Sequence, residues 1–188
     1  MATAGPDQAV LIATTWRVLE DIPDPEIPVV SIRELGILRD VQVNAVGQVV
    51  VVITPTYSAC PAIGQIEDDV RAALALAQVD AVVTTQLFPP WTTDWLTPSA
   101  HAKLRQFGIA PPAHRVETDL KVIRFASKKI ANNPLNSSTK FQFNDEKINC
   151  PRCGSPDTTE TSHFASTACK ALYKCLACQE PFDYFKPF

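Results

Sequence analysis

Glycine is scarce in this chain: 6 among 188 residues, against about 13 at the usual share of roughly 7%. The glycines stand at 5, 36, 47, 64, 108 and 154, so neither G-x-G-x-x-G nor G-x-x-x-x-G-K can be drawn. A nucleotide cradle of the Rossmann or P-loop kind is excluded. Histidine is nearly as thin, at His101, His114 and His163, which argues against a histidine-rich catalytic metal centre. No serine–histidine–acid arrangement can be picked out either. The longest apolar runs, residues 49–53 and 72–77, fall far short of the ~18 needed to cross a bilayer. No Lys or Arg precedes Arg17, so a secretory n-region is missing. The expected compartment is the reducing cytoplasm, where cysteines serve as metal ligands or reactive thiols rather than disulfides.

Proline, by contrast, is plentiful: 16 residues, against about 9 at the usual share. With 46% hydrophobic and 20% charged residues, the chain reads as globular, one ordinary domain with room for a small appendage. Charge divides it. Residues 1–110 hold 6 basic and 12 acidic side chains, residues 111–188 hold 11 and 8, together the net −3 of the whole. An acidic main body argues against nucleic acid as the partner, because phosphate binding needs a basic face.

Residues 7–21 place Val10, Ile12, Ala13, Trp16 and Leu19 at helical spacing, and Pro23, Pro25 and Pro28 then end the helix. Residues 38–44 and 48–54 are β-rich runs joined by Asn44-Ala45-Val46-Gly47, a hairpin signal. Residues 61–77 put Ile63, Ile66, Val70, Ala73, Leu74 and Ala77 on one helical face. A strand follows over 79–88, then a helix over 98–107 stopped by Gly108. The order α-β-β-α-β-α predicts an α+β domain over 1–112: a small α/β sandwich with helices on a three- or four-stranded sheet. Residues 113–147 read as a linker or insertion, with a short apolar–basic stretch at 121–125, and 148–188 as a separate small β module.

The tail carries the clearest chemistry. Cys150-x2-Cys153 and Cys175-x2-Cys178, 21 residues apart, can offer four thiolates to one tetrahedral ion. The gap exceeds the usual ~15–20 by one, which a longer hairpin absorbs. Zinc is the default ion, with iron in a rubredoxin-like site as the alternative, and residues 158–164 and 170–173 are expected as the two strands of the ribbon. His163 reads as a surface or packing residue. Cys169 is either a core thiol or a further ligand.

Cys60 lies where a strand ends and a helix begins, in Thr54-Pro55-Thr56-Tyr57-Ser58-Ala59-Cys60-Pro61. Pro61 at the first helical position would make Cys60 the cap, facing free N–H groups and the positive end of the helix dipole, which favour thiolate. Such a thiolate can attack an electrophile, bind a soft metal or hold a cluster iron; the other reading is a small buried hydrophobe. Asp24 and Glu26, in Asp24-Pro25-Glu26-Ile27-Pro28, are general bases, hard-metal ligands or plain loop caps. Trp91 and Trp95 read as packing or interface groups.

These motifs carry a resemblance. Asp24 to Pro28, Leu35-Gly36-Ile37, the segment ending in Cys60-Pro61, and Pro89-Pro90-Trp91 resemble the small SufT-like domain associated with iron–sulfur cluster assembly. Cys150-Pro151-Arg152-Cys153-Gly154, Ser166-Thr167-Ala168-Cys169-Lys170-Ala171 and the run from Glu180 to Lys186 resemble the PaaD-type branch of phenylacetate degradation. The resemblance implies a partner of the monooxygenase that makes the ring-1,2-epoxide of phenylacetyl-CoA, whose oxygenase carries di-iron and whose reductase carries flavin and a [2Fe–2S] cluster. It makes Cys60 the reactive or cluster-binding thiol, places Asp24 and Glu26 in an acidic motif, and brings Cys169 inside a motif. The implied role is a non-enzymatic assembly factor. Cys60, alone or with its mate in a homodimer, would hold iron or a cluster transiently for the reductase or oxygenase component. The alternative is a stoichiometric, non-catalytic epoxidase subunit. No membrane partner is expected.

Overall fold

The computed structural model describes residues 6–112 and 147–188. The expected linker, apart from residue 147, and the stretch at 121–125 lie outside the described residues. Helix α1 (Pro6–Leu19) buries Leu19 completely and packs Leu11, Ile12 and Trp16 against the core. The chain then turns through the proline-rich loop, where Pro23 bridges Ser31, into strand β1 (Leu38–Val43) and its antiparallel partner β2 (Val49–Ile53). The Asn44 Oδ1 accepts the Val46 and Gln48 amides at 3.1 and 3.0 Å, closing the hairpin as an Asx turn.

Strand β3 (Ala81–Thr85) runs parallel to β2. Parallel neighbours need a crossover, and helix α2 (Ile63–Leu76) supplies it. Ile66, Val70 and Leu74 are its buried stripe, each contributing roughly 1.5–3 kcal/mol by leaving water. Val49, Val51 and Ile53 of β2 answer from the sheet. Helix α3 (Pro98–Phe107) opens on Thr97, whose hydroxyl accepts the Ala100 amide at 3.1 Å, and closes on Gly108 at φ +93°. The element order, the hairpin and a three-stranded sheet, order β1-β2-β3, all agree with the sequence expectation.

The tail departs from it in one respect. A two-residue strand, β4 (Ile109–Ala110), follows α3 directly. Strands β5 (Thr158–Ser162) and β6 (Lys170–Cys175) form the expected ribbon, but β7 (Pro181–Phe185) adds a third antiparallel strand. On its other side β7 pairs with β4, giving the order β4-β7-β6-β5. The backbone just after α3 thus belongs to the C-terminal sheet. Phe185 and Cys169 in turn lie within the core of the N-terminal sheet, so the two parts share side chains as well as hydrogen bonds. Among the described residues, no helix is long and apolar enough to cross a membrane.

Gly36 shows what one of the few glycines is for. It sits at φ +73°, and a Cβ there would lie 2.6 Å from the Trp95 Cβ and 2.9 Å from its carbonyl oxygen. Left-handed backbone and overpacking together should cost about 2–4 kcal/mol for Gly36→Ala. The expected result is a lowered denaturant midpoint with an unchanged slope; equal midpoints would mean that this loop yields freely.

Candidate thiol and metal sites

The four ribbon cysteines come together. Two tight turns present them: the Gly154 amide donates to the Cys150 carbonyl at 2.9 Å, and the Cys175 amide to the Glu180 carbonyl at 3.0 Å. Each turn is followed by a left-handed residue, Gly154 at φ +75° and Gln179 at φ +65°. Cys150 and Cys178 Sγ lie 3.8 Å apart, Cys153 and Cys175 Sγ 3.6 Å, and all four sulfurs fall within 4.8 Å of one another. A tetrahedron with metal–sulfur bonds of ~2.3 Å has edges of about 3.8 Å. The donor set therefore fits one four-coordinate ion. The Cys178 and Ala177 amides point at the Cys175 sulfur and help hold its thiol down to about 7, which suits a ligand that must be deprotonated. Exposed His163 pairs with Glu160 at 3.2 Å and takes no place among these ligands.

The second site is assembled by the contact between the two sheets. Asp24 is buried, and its Oδ1 accepts the amides of Glu26 at 3.0 Å and Ile27 at 2.8 Å. That geometry is a loop cap. Glu26, half-buried beside it, accepts the Thr167 hydroxyl. Burial raises both carboxyls, and the negative charge of Asp24 raises Glu26 further, while buried Lys170 opposes both. Lys170 lies 3.5 Å from Asp183.

Cys60 stands just ahead of α2, which begins at Ile63 with Ala62 as its N-cap. It occupies the preceding turn, its amide donating to the Tyr57 carbonyl at 3.1 Å. Its sulfur accepts the Ala62 amide, as expected of a group near a helix start, but the thiol is nevertheless raised. Burial is the largest cause, and Glu26 and Asp24 add to it. The expected bias towards free thiolate is thus reversed: the local dipole is outweighed by desolvation and two acids from another loop.

The loop between β5 and β6 completes the cluster. Cys169 is buried, with the Thr167 hydroxyl 3.0 Å from its sulfur. Its thiol too is raised by burial and feels the charges of Glu26 and Cys60. Tyr57 accepts the Ala168 amide and feels both cysteines. Cys60, Cys169, Asp24, Glu26, Tyr57, Thr167 and Lys170 therefore share one neighbourhood. Sequence reading singled out neither Tyr57 nor Lys170, although both stand within the motif runs. Trp91 packs as expected: its Nε1–H donates to the Leu35 carbonyl at 3.0 Å and its ring meets Phe185.

Fold and sites together define an iron–sulfur assembly type domain joined to a four-cysteine ribbon. Residues 12–85 match the family model described as "Iron-sulfur cluster assembly protein", and residues 135–186 the one described as "PaaD zinc beta ribbon domain". The chain belongs to the PaaD family: it is 42% identical over 188 residues to an Escherichia coli (strain K12) protein whose name makes it a component of 1,2-phenylacetyl-CoA epoxidase. That match covers 99% of this chain and 97% of the relative. The first part alone is 37% identical over 90 residues to an Fe-S protein maturation auxiliary factor of Porphyromonas gingivalis, covering 47% of this chain and 85% of that one. It is 39% identical over 88 residues to the auxiliary factor YitW of Bacillus subtilis, covering 46% and 83%.

Proposed function

We propose that this chain is a non-enzymatic maturation factor of a phenylacetyl-CoA ring-1,2-epoxidase. Cys60 takes up iron or an iron–sulfur cluster as cargo and passes it to the reductase or oxygenase component in the cytoplasm. The ribbon cysteines hold zinc, closing a structural site. The observation that carries this reading is the placement of Cys60: a half-buried thiol on a tight turn, beside Glu26 and Asp24. A raised, protonated thiol is protected from oxidation while empty and releases its proton when a cation arrives. Such a group suits a ligand that is loaded and unloaded. Kinship over nearly half the chain to two Fe–S maturation factors points the same way.

The test is Cys60→Ser, co-expressed with the other epoxidase components. Iron content and turnover of the isolated epoxidase should fall at least tenfold, with the variant's own zinc content unchanged. Full iron and full activity would sink delivery through Cys60.

A second reading is favoured by the end-to-end match to a protein named as part of the epoxidase: a stoichiometric component that stabilises the complex. It predicts that stripping this chain from an already matured complex abolishes turnover, whereas a delivery factor can be removed without loss.

A further inference from the structure

We infer that the cargo ion is held by two thiolates from two different parts of the chain, Cys60 from the turn before α2 and Cys169 from the ribbon loop. This inference rests on the delivery reading above and gives Cys60 a partner. Four contacts bring the two parts together at this point. Thr167 donates to Glu26, Ala168 donates to Tyr57, Lys170 acts on Asp24 and Glu26, and Cys169 is electrostatically coupled to Cys60. The residues immediately before and after Cys169 are therefore the ones that anchor its loop onto the loops carrying Cys60 and the acids. The backbone adds a fifth tie, the Lys186 amide donating to the Cys169 carbonyl at 2.9 Å.

A buried hydrophobe needs none of this. If Cys169 only filled space, its surroundings should be apolar. Instead it has a hydroxyl 3.0 Å from its sulfur and lies within range of a thiol, a carboxylate and an ammonium group. Thiolates select soft and borderline ions such as iron(II), and a nearby carboxylate suits the same ion. Binding is a proton exchange: each sulfur gives its proton to solvent as it takes the ion, so iron(II) with two thiolates is charge-neutral and leaves Lys170 balanced by the acids. Among the described residues, the ribbon's is the one group of three or more donors that lie within 4.8 Å of one another. Cys60 and Cys169 thus belong to a more open cradle, with no third donor clamped over it, as an ion that must leave requires.

The experiment uses the full chain with one zinc per chain, reconstituted anaerobically with iron(II). Iron K-edge X-ray absorption then counts sulfur neighbours of the iron alone, while elemental analysis confirms that zinc is retained. One iron per chain with two sulfurs is the expected result, falling to one sulfur in Cys169→Ala and one in Cys60→Ser. One sulfur in the unaltered chain overturns the pairing and leaves Cys60 as a sole protein thiolate. No sulfur, or no iron bound, overturns both. One iron per two chains, its sulfur count unmoved by Cys169→Ala and abolished by Cys60→Ser, would assign the second thiolate to the Cys60 of another copy and reject Cys169. Where Cys169→Ala does not fold, the count in Cys60→Ser and the iron-to-chain ratio still decide.

Discussion

Cys175→Ser, or removal of the ribbon's ion by a strong chelator, is expected to unfold the C-terminal sheet outright. The core of that sheet is small: Ala110, Ile148, Cys150, Ala171, Cys175, Phe182 and Tyr184. Two of its members are themselves ligands, so an ionless ribbon would bury thiols that repel as soon as they ionise. An apolar cluster of this size supplies at most ~3–5 kcal/mol, whereas a structural zinc site contributes about 10–16 kcal/mol near neutral pH. The ion therefore decides whether β5, β6 and β7 exist. Amide exchange reads this directly: protection across Lys170–Cys175 and Pro181–Phe185 should vanish on chelation, and reagents for free thiols should gain access to Cys150, Cys153, Cys175 and Cys178. Protection that survives chelation would make the ion dispensable to the fold. The effect should also reach the second site, because Cys169 sits at the start of β6. Chelated protein is expected to lose the iron-binding capacity that Cys60 alone would keep.

How much of this was legible in the chain follows from the range of each interaction. Ile66, Val70 and Leu74 declare a helix because neighbours three and four apart share a face. Asn44 and Gly47 declare a turn because an Asx cap and a left-handed residue are local requirements. The four ribbon cysteines declare themselves because two short knuckles are local, and only the closing of one pair on the other is not. Strand β7 was missed although Phe182, Tyr184 and Phe185 are apolar: it is short, begins with proline, and takes its meaning from pairing with β6 on one side and with β4 on the other. Cys60 shows the limit most plainly. Its position ahead of a helix argued for a lowered thiol, and the Ala62 amide does act in that direction. The larger influences are burial and the Asp24–Glu26 loop, which no spacing within 54–61 could reveal. The same holds for Cys169. As a residue between two cysteine pairs it was surplus to a closed site, and it acquires a partner only when the ribbon loop meets the proline-framed acids.

Phe185→Ala is the substitution expected to separate the two sites from each other. The ring is 1% exposed and stands at the junction, 6.0 Å from the centroid of Trp91, while its backbone pairs with Lys170 across β7 and β6. Truncating a fully buried phenylalanine costs about 3–5 kcal/mol through lost burial and the cavity left behind. In a chain of this length that corresponds to a Tm lowered by roughly 6–20 °C. The more telling readout is selective. Phe185 belongs to the N-terminal core, whereas the residues around the ribbon ion form their own cluster, so zinc content should be unchanged. What loosens is the seating of β6 and its preceding loop on the N-terminal part, hence the approach of Cys169, Thr167 and Lys170 to Cys60 and the acids. Iron bound per chain should fall several-fold at full zinc occupancy, and Phe185→Leu, which keeps most of the buried volume, should restore it. Equal loss of zinc and iron would mean that the ribbon folds only when docked. Loss of stability with iron binding intact would mean that the junction serves the fold and that the cargo site needs nothing from the ribbon.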